Sequence, residues 1–150
     1  MPYLSIHSPI GDLTLFEEDG KLVSIDWGWV DGGDETPLLA EARSQLDHYF
    51  DGQRQQFDLP LAPAGTAFQR RVWEALQRIP YGQALRYADL AAELGSGPRA
   101  IGGACGRNPL PVVIPCHRVV AADGSLGGYS GVDGIDTKRA LLDLEGFKGG

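Results

Sequence analysis

Tyr87-Ala88-Asp89-Leu90-Ala91-Ala92-Glu93-Leu94-Gly95-Ser96-Gly97-Pro98-Arg99-Ala100-Ile101-Gly102-Gly103-Ala104-Cys105-Gly106-Arg107 decides how the second half of this chain folds. Tyr87 to Leu94 reads as a short helix that ends at Gly95, a left-handed cap. Ser96-Gly97-Pro98 is a turn with proline at the start of the next helix, Arg99 to Gly106. Two short helices joined by a glycine-containing turn of this length make a helix-turn-helix. The second helix is unusual, because each of its three glycines costs about 1 kcal/mol relative to alanine in a helix interior. Two explanations stand side by side. The helix packs closely on another helix, or a nucleic-acid backbone approaches it, with arginines at both its ends. Cys105 reads as a small core filler.

Upstream, Thr66-Ala67-Phe68-Gln69 is a capping box, with a hydroxyl at the N-cap and Gln three residues on. Phe68, Val72, Leu76 and Ile79 then recur at helical spacing up to Pro80, and Tyr81-Gly82 is a turn. Downstream, Asn108-Pro109 ends the second helix. Val112, Val113 and Ile114, bracketed by Pro111 and Pro115, read as a short buried strand that delivers Pro115-Cys116-His117-Arg118-Val119. A thiol beside an imidazole on a rigid segment suggests a positioned nucleophile, against the plainer reading of a buried structural cysteine beside a surface histidine. Adjacent residues of an extended segment point to opposite sides, so a bridging water suits this pair better than a direct hydrogen bond. His117 needs a partner to fix its tautomer, and Glu145 is the candidate; the alternative is a solvated helix carboxylate. Asp123-Gly124-Ser125 turns Val119-Val120 back toward Leu126, and Gly127 to Gly131 is a loop holding Tyr129. A hairpin after a helix-turn-helix reads as a wing. Lys138 to Glu145, with Leu141, Leu142 and Leu144, is the closing helix, capped by Gly146.

The first half alternates: Leu4 and Ile6, then Leu13 and Leu15, then Val23, Ile25 and Trp27. With turn signals at Ser8 to Asp12 and Asp19-Gly20, this predicts a three-stranded antiparallel meander. Thr36-Pro37 opens a helix carrying Leu39, Ala42 and Leu46 to cover one sheet face, and Asp51-Gly52 stops it. Asp51 to Gly65 reads as a linker, with one short strand at Phe57-Asp58-Leu59. Trp27, Trp29 and His48 read as core or interface residues. The predicted organisation is a structural domain over 1–62 and a DNA-binding, chemical domain over 63–150.

Composition narrows the function. Of 150 residues 43% are hydrophobic, enough for a globular core, and no apolar run is long enough to span a bilayer. Met1 to Ser8 is no signal peptide. Two cysteines make no secreted framework, which predicts a reducing, cytoplasmic setting. No Cys/His cluster has zinc spacing, so neither metal nor cofactor is expected. The net charge of −7 is split unevenly. Residues 1–65 hold 3 basic and 12 acidic residues, a balance of −9, while residues 66–150 hold 10 and 8, a balance of +2. All seven bases of residues 66–118, from Arg70 to Arg118, are arginines, which suit phosphate contact.

The chain resembles the O6-alkylguanine-DNA alkyltransferase family. The residues that carry the resemblance are Gly65 to Gln69, Ile79-Pro80-Tyr81-Gly82, Tyr87, Arg99 to Ala104, Asn108-Pro109 and Ile114 to Val119. Gly128-Tyr129-Ser130-Gly131, Lys138, Leu141-Leu142 and Glu145-Gly146 complete it, so it covers 65–146 in order. The resemblance implies an α+β fold: a small ribonuclease-H-like antiparallel sheet with a helix, then a helical, winged helix-turn-helix-like domain. It implies single, irreversible transfer of an alkyl group from O6-alkylguanine in double-stranded DNA to Cys116 by a monomer, with O4-alkylthymine left open. His117, through a water, takes the thiol proton, and Glu145 orients His117. Tyr87 promotes base extrusion and hydrogen-bonds the guanine. Arg99 fills the gap in the duplex, Ala100 and Gly103 lie on the DNA-binding helix, and Asn108 sets the turn into the motif. Val120, Tyr129 and Ser130 line the guanine pocket.

Val132-Asp133-Gly134-Ile135-Asp136 makes one segment longer than the family's common form, which touches the pocket lip. The metal-binding Cys/His residues that some members carry in the first domain are absent. The chemistry stands without the resemblance: an alkyl carbon on a base oxygen calls for a soft nucleophile, and a thioether product leaves nothing to cleave it. The competing readings are a winged-helix damage sensor or regulator without catalysis, and a Cys-His-Glu hydrolase. The Cys116-His117 pair disfavours the first, and the lack of a readable oxyanion hole the second.

Overall fold

Alternating apolar residues form β1 (Tyr3–Ile6), β2 (Leu13–Glu18) and β3 (Lys21–Trp27), an antiparallel sheet in that order. Leu4 pairs with Leu15, Ile6 with Leu13 and Leu15 with Ile25, and all five of these side chains are buried, so one face is the core face. Asp19 and Gly20 both take positive φ, 52° and 74°, the signature of a two-residue hairpin turn that follows the twist of its strands. Helix α1 (Pro37–Phe50) starts where Thr36 Oγ1 accepts the Leu39 N–H at 3.1 Å. Its buried Leu39, Ala42, Leu46 and Tyr49 recur every three to four residues and face the sheet.

The computed structural model describes residues 1–121 and 134–147, in two units, Met1–Ala64 and Gly65–Gly150. Within the first unit, 51–65 is more than a linker. The Leu22 N–H donates to Pro60 O at 2.8 Å and the Ala62 N–H to Leu22 O at 3.0 Å, so Leu61 bridges to the sheet in parallel. The expected strand at Phe57 to Leu59 does not form. Gln45 holds that segment from the helix instead, with both ends of its amide bonded to the Asp58 backbone. Trp29 and His48 are exposed; Trp29 stacks on His7 at 4.6 Å and belongs to no core.

The second unit is built on α2 (Ala67–Gln77), α3 (Tyr87–Leu94) and α4 (Pro98–Gly106). The capping box is complete: Gln69 N–H donates to Thr66 Oγ1 at 3.1 Å, and Thr66 N–H to Gln69 Oε1 at 3.0 Å. Trp73, buried, donates its Nε1–H to Ala104 O at 2.9 Å and pins α2 against α4. Gly65 is required there, since a Cβ on it would lie 2.4 Å from the Trp73 ring. Gly95 ends α3 in the left-handed conformation, φ 66°.

Helix α4 buries Ile101, Ala104 and Cys105, and exposes Arg99, Ala100, Gly103, Gly106 and Arg107. A Cβ on Gly102, Gly103 or Gly106 would meet nothing within 4 Å. Close helix packing among the described residues is therefore not why these glycines are there.

Two further elements frame the chemistry. Strand β4 (Leu85–Arg86), too short to be read in advance, pairs in parallel with β5 (Val119–Val120). Helix α5 (Ile135–Leu144) begins three residues before Lys138, and Glu145 is its C-cap. The expected hairpin wing at Leu126 and the first two residues of the longer 132–136 segment lie outside the described residues.

Candidate active site

The segment that delivers Cys116 is a buried turn, not the expected strand. Val112 takes φ 74°, which a strand excludes and a β-branched residue rarely adopts. The reason is Asn108. Its Nδ2–H donates to Ile114 O at 2.8 Å, and its Oδ1 accepts the Leu110 N–H at 2.9 Å. The Ile114 N–H donates back to Leu110 O at 2.8 Å, so the loop closes on itself. Apolar side chains bury the segment, and these bonds meet the Leu110 and Ile114 backbone groups that a sheet partner would otherwise have met. Strain of this kind persists only where neighbours over-determine the backbone, and it concentrates at functional sites. Cys116, His117 and Arg118 follow in one 3-10 turn, all buried, with Cys116 only 4% exposed. The expectation that Cys116 and His117 leave an extended strand on opposite sides is corrected accordingly.

His117 is fully buried, and its Nε2 lies 2.7 Å from Glu145 Oε2. Its Nδ1 is buried too and takes no hydrogen bond among the described residues. Burial holds the imidazole pKa below its usual 6.5; the hydrogen bond and charge of Glu145 pull the other way, and Arg118 and Lys138 add to the lowering. The ring is neutral at neutral pH, with one nitrogen committed to a carboxylate.

Glu145 is held by a second group. Arg118 donates Nε–H to Oε1 at 2.8 Å and an Nη2–H to Oε2 at 2.9 Å, a bidentate pair. An Nη1–H goes to Ile79 O at 2.7 Å, and the guanidinium lies 5.8 Å from the Tyr81 ring centroid. Tyr81 OH donates to Leu144 O at 3.2 Å. Gly82, φ 83°, lets this turn come close to α5, since a Cβ on it would be 3.1 Å from Glu145 O. Arg118, counted with the phosphate-contact arginines in the sequence, is therefore inside; the other six of residues 66–118 are exposed.

Pairing of Arg86 with Val120 sets Tyr87, at the head of α3, beside the strand that leaves the motif. Tyr87 is pushed up to about 12 by burial and by the nearby Cys105 and Cys116, so it keeps its proton at neutral pH. Cys105 is likewise pushed up to about 12, by burial and by Cys116, and is no thiolate at neutral pH. Lys138 is fully buried with Nζ 5.7 Å from the Tyr87 ring centroid. Burial lowers its pKa, while Cys116 and Cys105 act in the opposite direction.

The geometry thus joins His117 to Glu145 directly and groups Cys116, Tyr87, Val120 and Asn108 around the turn. Arg99, Ala100 and Gly103 lie apart, on the exposed face of α4. Tyr129 and Ser130 lie outside the described residues. Two charged residues had no assigned role. For Lys138 a signal existed: Lys138, Leu141, Leu142 and Glu145 follow i, i+3, i+4, i+7, so a cation and a carboxylate end an apolar stripe. Arg118 had no such signal, because its partners are 27 and 39 residues away.

Two family models match the chain. They are described as 6-O-methylguanine DNA methyltransferase, ribonuclease-like domain, over residues 1–63, and 6-O-methylguanine DNA methyltransferase, DNA binding domain, over residues 67–147. The chain is 43% identical over 156 residues to the constitutive methylated-DNA–protein-cysteine methyltransferase of Bacillus subtilis, covering 95% of this chain and 94% of that one. Among solved structures it is similar to Mycobacterium tuberculosis OGT in complex with DNA. The TM-score is 0.86 at 42% identity, over 95% of this chain and 91% of that one. It is also similar to an O6-methylguanine DNA methyltransferase from Methanococcus jannaschii, with a TM-score of 0.70 at 31% identity, over 95% and 92%.

Proposed function

The chain belongs to the 6-O-methylguanine DNA methyltransferase family, and from that premise we propose how its residues divide the work. Its activity is DNA repair by transfer of an alkyl group from guanine O6 to a protein cysteine, and its partner is double-stranded DNA. Cys116 is the acceptor. Its thiolate attacks the alkyl carbon, the carbon–oxygen bond breaks, and a thioether forms as guanine leaves. His117 takes the thiol proton at Nδ1, through one water, and passes no proton to Glu145, whose carboxylate holds Nε2–H. Tyr87, protonated throughout, donates to the extruded base as charge moves onto it.

The base must leave the stack, at a cost of a few kcal/mol. Arg99, at the exposed start of α4, fills the gap it leaves. Ala100 and Gly103 let the phosphate backbone come close, which accounts for glycines whose missing side chains face open space. Val120 lines the base pocket. Neither Cys105 nor Cys116 forms a disulfide and both are buried, in keeping with work in a reducing, cytoplasmic setting.

The observation that carries this reading is the buried His117–Glu145 bond at 2.7 Å, one residue from Cys116, with Nδ1 left to act as a base. The test is incubation with a duplex carrying O6-methylguanine, followed by intact and peptide mass. One methyl per chain, on Cys116, is the expected result. No mass change, or a methyl on Cys105, overturns the assignment.

A further inference from the structure

We infer that Arg118 is a positioning residue for alkyl transfer: its bidentate grip keeps Glu145 ionised and thereby selects the tautomer of His117 that leaves Nδ1 basic. The inference rests on the reading of His117 as the base for Cys116. It starts from a choice that the 2.7 Å contact alone leaves undecided. A neutral imidazole carries one proton. If Glu145 is a carboxylate, Nε2 must be the N–H, and Nδ1 keeps its lone pair. If Glu145 is a carboxylic acid, its O–H donates to Nε2, the ring proton moves to Nδ1, and no base faces the thiol. In a fully buried site the acid form is the one that desolvation favours.

Arg118 reverses that preference. Two of its N–H groups occupy Oε1 and Oε2 at 2.8 and 2.9 Å, so both carboxylate oxygens already accept from a permanent cation. The fork is locked from its other side by Ile79 O at 2.7 Å and by the Tyr81 ring. A lysine, with one point of charge, cannot hold both oxygens and the carbonyl together. Besides Glu145 and Arg118, the charged group that acts on His117 among the described residues is Lys138 on α5, and the Cys116 thiol is next to His117 in the chain. Lys138 and Arg118 both oppose a charged imidazolium, and Arg118 bonds the carboxylate through two N–H groups. None of this requires Arg118 to touch DNA, and at 6% exposure it is not placed to do so.

The test compares the unmodified protein with Arg118→Lys and Arg118→Gln. Single-turnover transfer from an O6-methylguanine duplex is followed across pH, and the two ring nitrogens of His117 are followed by 15N NMR. The unmodified protein should show the Nε2–H tautomer at neutral pH. Both variants should slow transfer at least tenfold at neutral pH and move the acid limb of the rate profile to higher pH, with Arg118→Lys less affected than Arg118→Gln. Their rates should converge on the unmodified rate at alkaline pH, where the thiol ionises unaided. Variants that lose only stability or active fraction, with the pH profile and ring shifts unchanged, would show that Arg118 is merely structural and overturn the inference. If neither variant folds, the unmodified protein still decides, because an Nδ1–H tautomer there rules the scheme out and an Nε2–H tautomer supports it. Failure of the unmodified protein to methylate Cys116 is a separate result and sinks the underlying reading instead.

Discussion

Cys116 sits directly after Pro115, at the start of a buried 3-10 turn, so truncating its side chain tests chemistry with little change of shape. Cys116→Ala should accept no alkyl group and still bind a duplex with near-unmodified affinity; methyl transfer that persists in this variant contradicts the assignment. His117 makes a prediction about stability as well as rate. Its folded pKa is depressed below the 6.5 of the unfolded chain, mainly by burial, so the unfolded state binds the extra proton more readily. The stability tied to His117 is therefore fully present above about pH 6.5 and is lost as pH falls below it toward the folded value. Melting curves at pH 7.5 and 5.5 should show a drop that is smaller in His117→Gln. The same variant should transfer slowly at neutral pH and recover much of the rate above the thiol's own pKa, near 8.5. An unchanged pH profile would assign His117 to packing alone.

Elements explain why the site holds its shape. The turn from Leu110 to Ile114 has no sheet partner, and the two side-chain bonds of Asn108 replace one. Asn108→Ala leaves a buried amide and a buried carbonyl unmet, at about 1–3 kcal/mol. Both the melting temperature and the transfer rate should fall, since the same turn places Cys116. A melting temperature equal to that of the unmodified protein would mean that other contacts hold the turn. Helix α4 should respond in the opposite way. Gly103 is exposed with open space around it, so Gly103→Ala should stabilise the fold by roughly 0.5–1 kcal/mol through helix propensity alone. Its duplex affinity should fall, because on the proposed DNA-facing role the added methyl stands in the path of the DNA backbone. A variant that is both more stable and equally tight in binding would remove the DNA-facing role of this glycine.

At the scale of the whole molecule, alkylation adds carbon to a buried site. Cys116 is 4% exposed, and every residue from Leu110 to Val120 is buried. Overpacking of this kind costs about 1–3 kcal/mol, and for a chain of this length each kcal/mol moves the melting temperature by roughly 2–4 °C. Methylated protein should therefore melt lower than unmodified protein, and a larger alkyl group should lower it further. The strain falls on the turn at Asn108, which is continuous with α4, so duplex affinity should fall with it. A methylated form that melts at the same temperature or higher would show that the pocket has room. The charge split, −9 against +2 between the two parts of the chain, confines DNA attraction to the arginine-bearing second unit and predicts salt-sensitive binding despite a net charge of −7.

What the sequence determined by itself is whatever a few neighbouring residues decide. The Thr66 to Gln69 capping box, the Gly95 cap, the Asp19-Gly20 hairpin and the alternation of β1 to β3 were legible because each depends on residues within about four positions. Motif identity likewise placed Cys116, His117 and Glu145 on one list. The tertiary structure alone decided what lies between them. Val112, Val113 and Ile114 carry strand propensity, yet Asn108 bonds Ile114 O and the Leu110 N–H and closes the segment as a turn, and propensity yields to such tertiary bonds. Arg118 looked like six other arginines, because nothing in local spacing reports a carboxylate 27 residues away or a carbonyl 39 residues away. Only folding brings Glu145 between His117 and Arg118, and in a buried site that placement determines which groups carry charge.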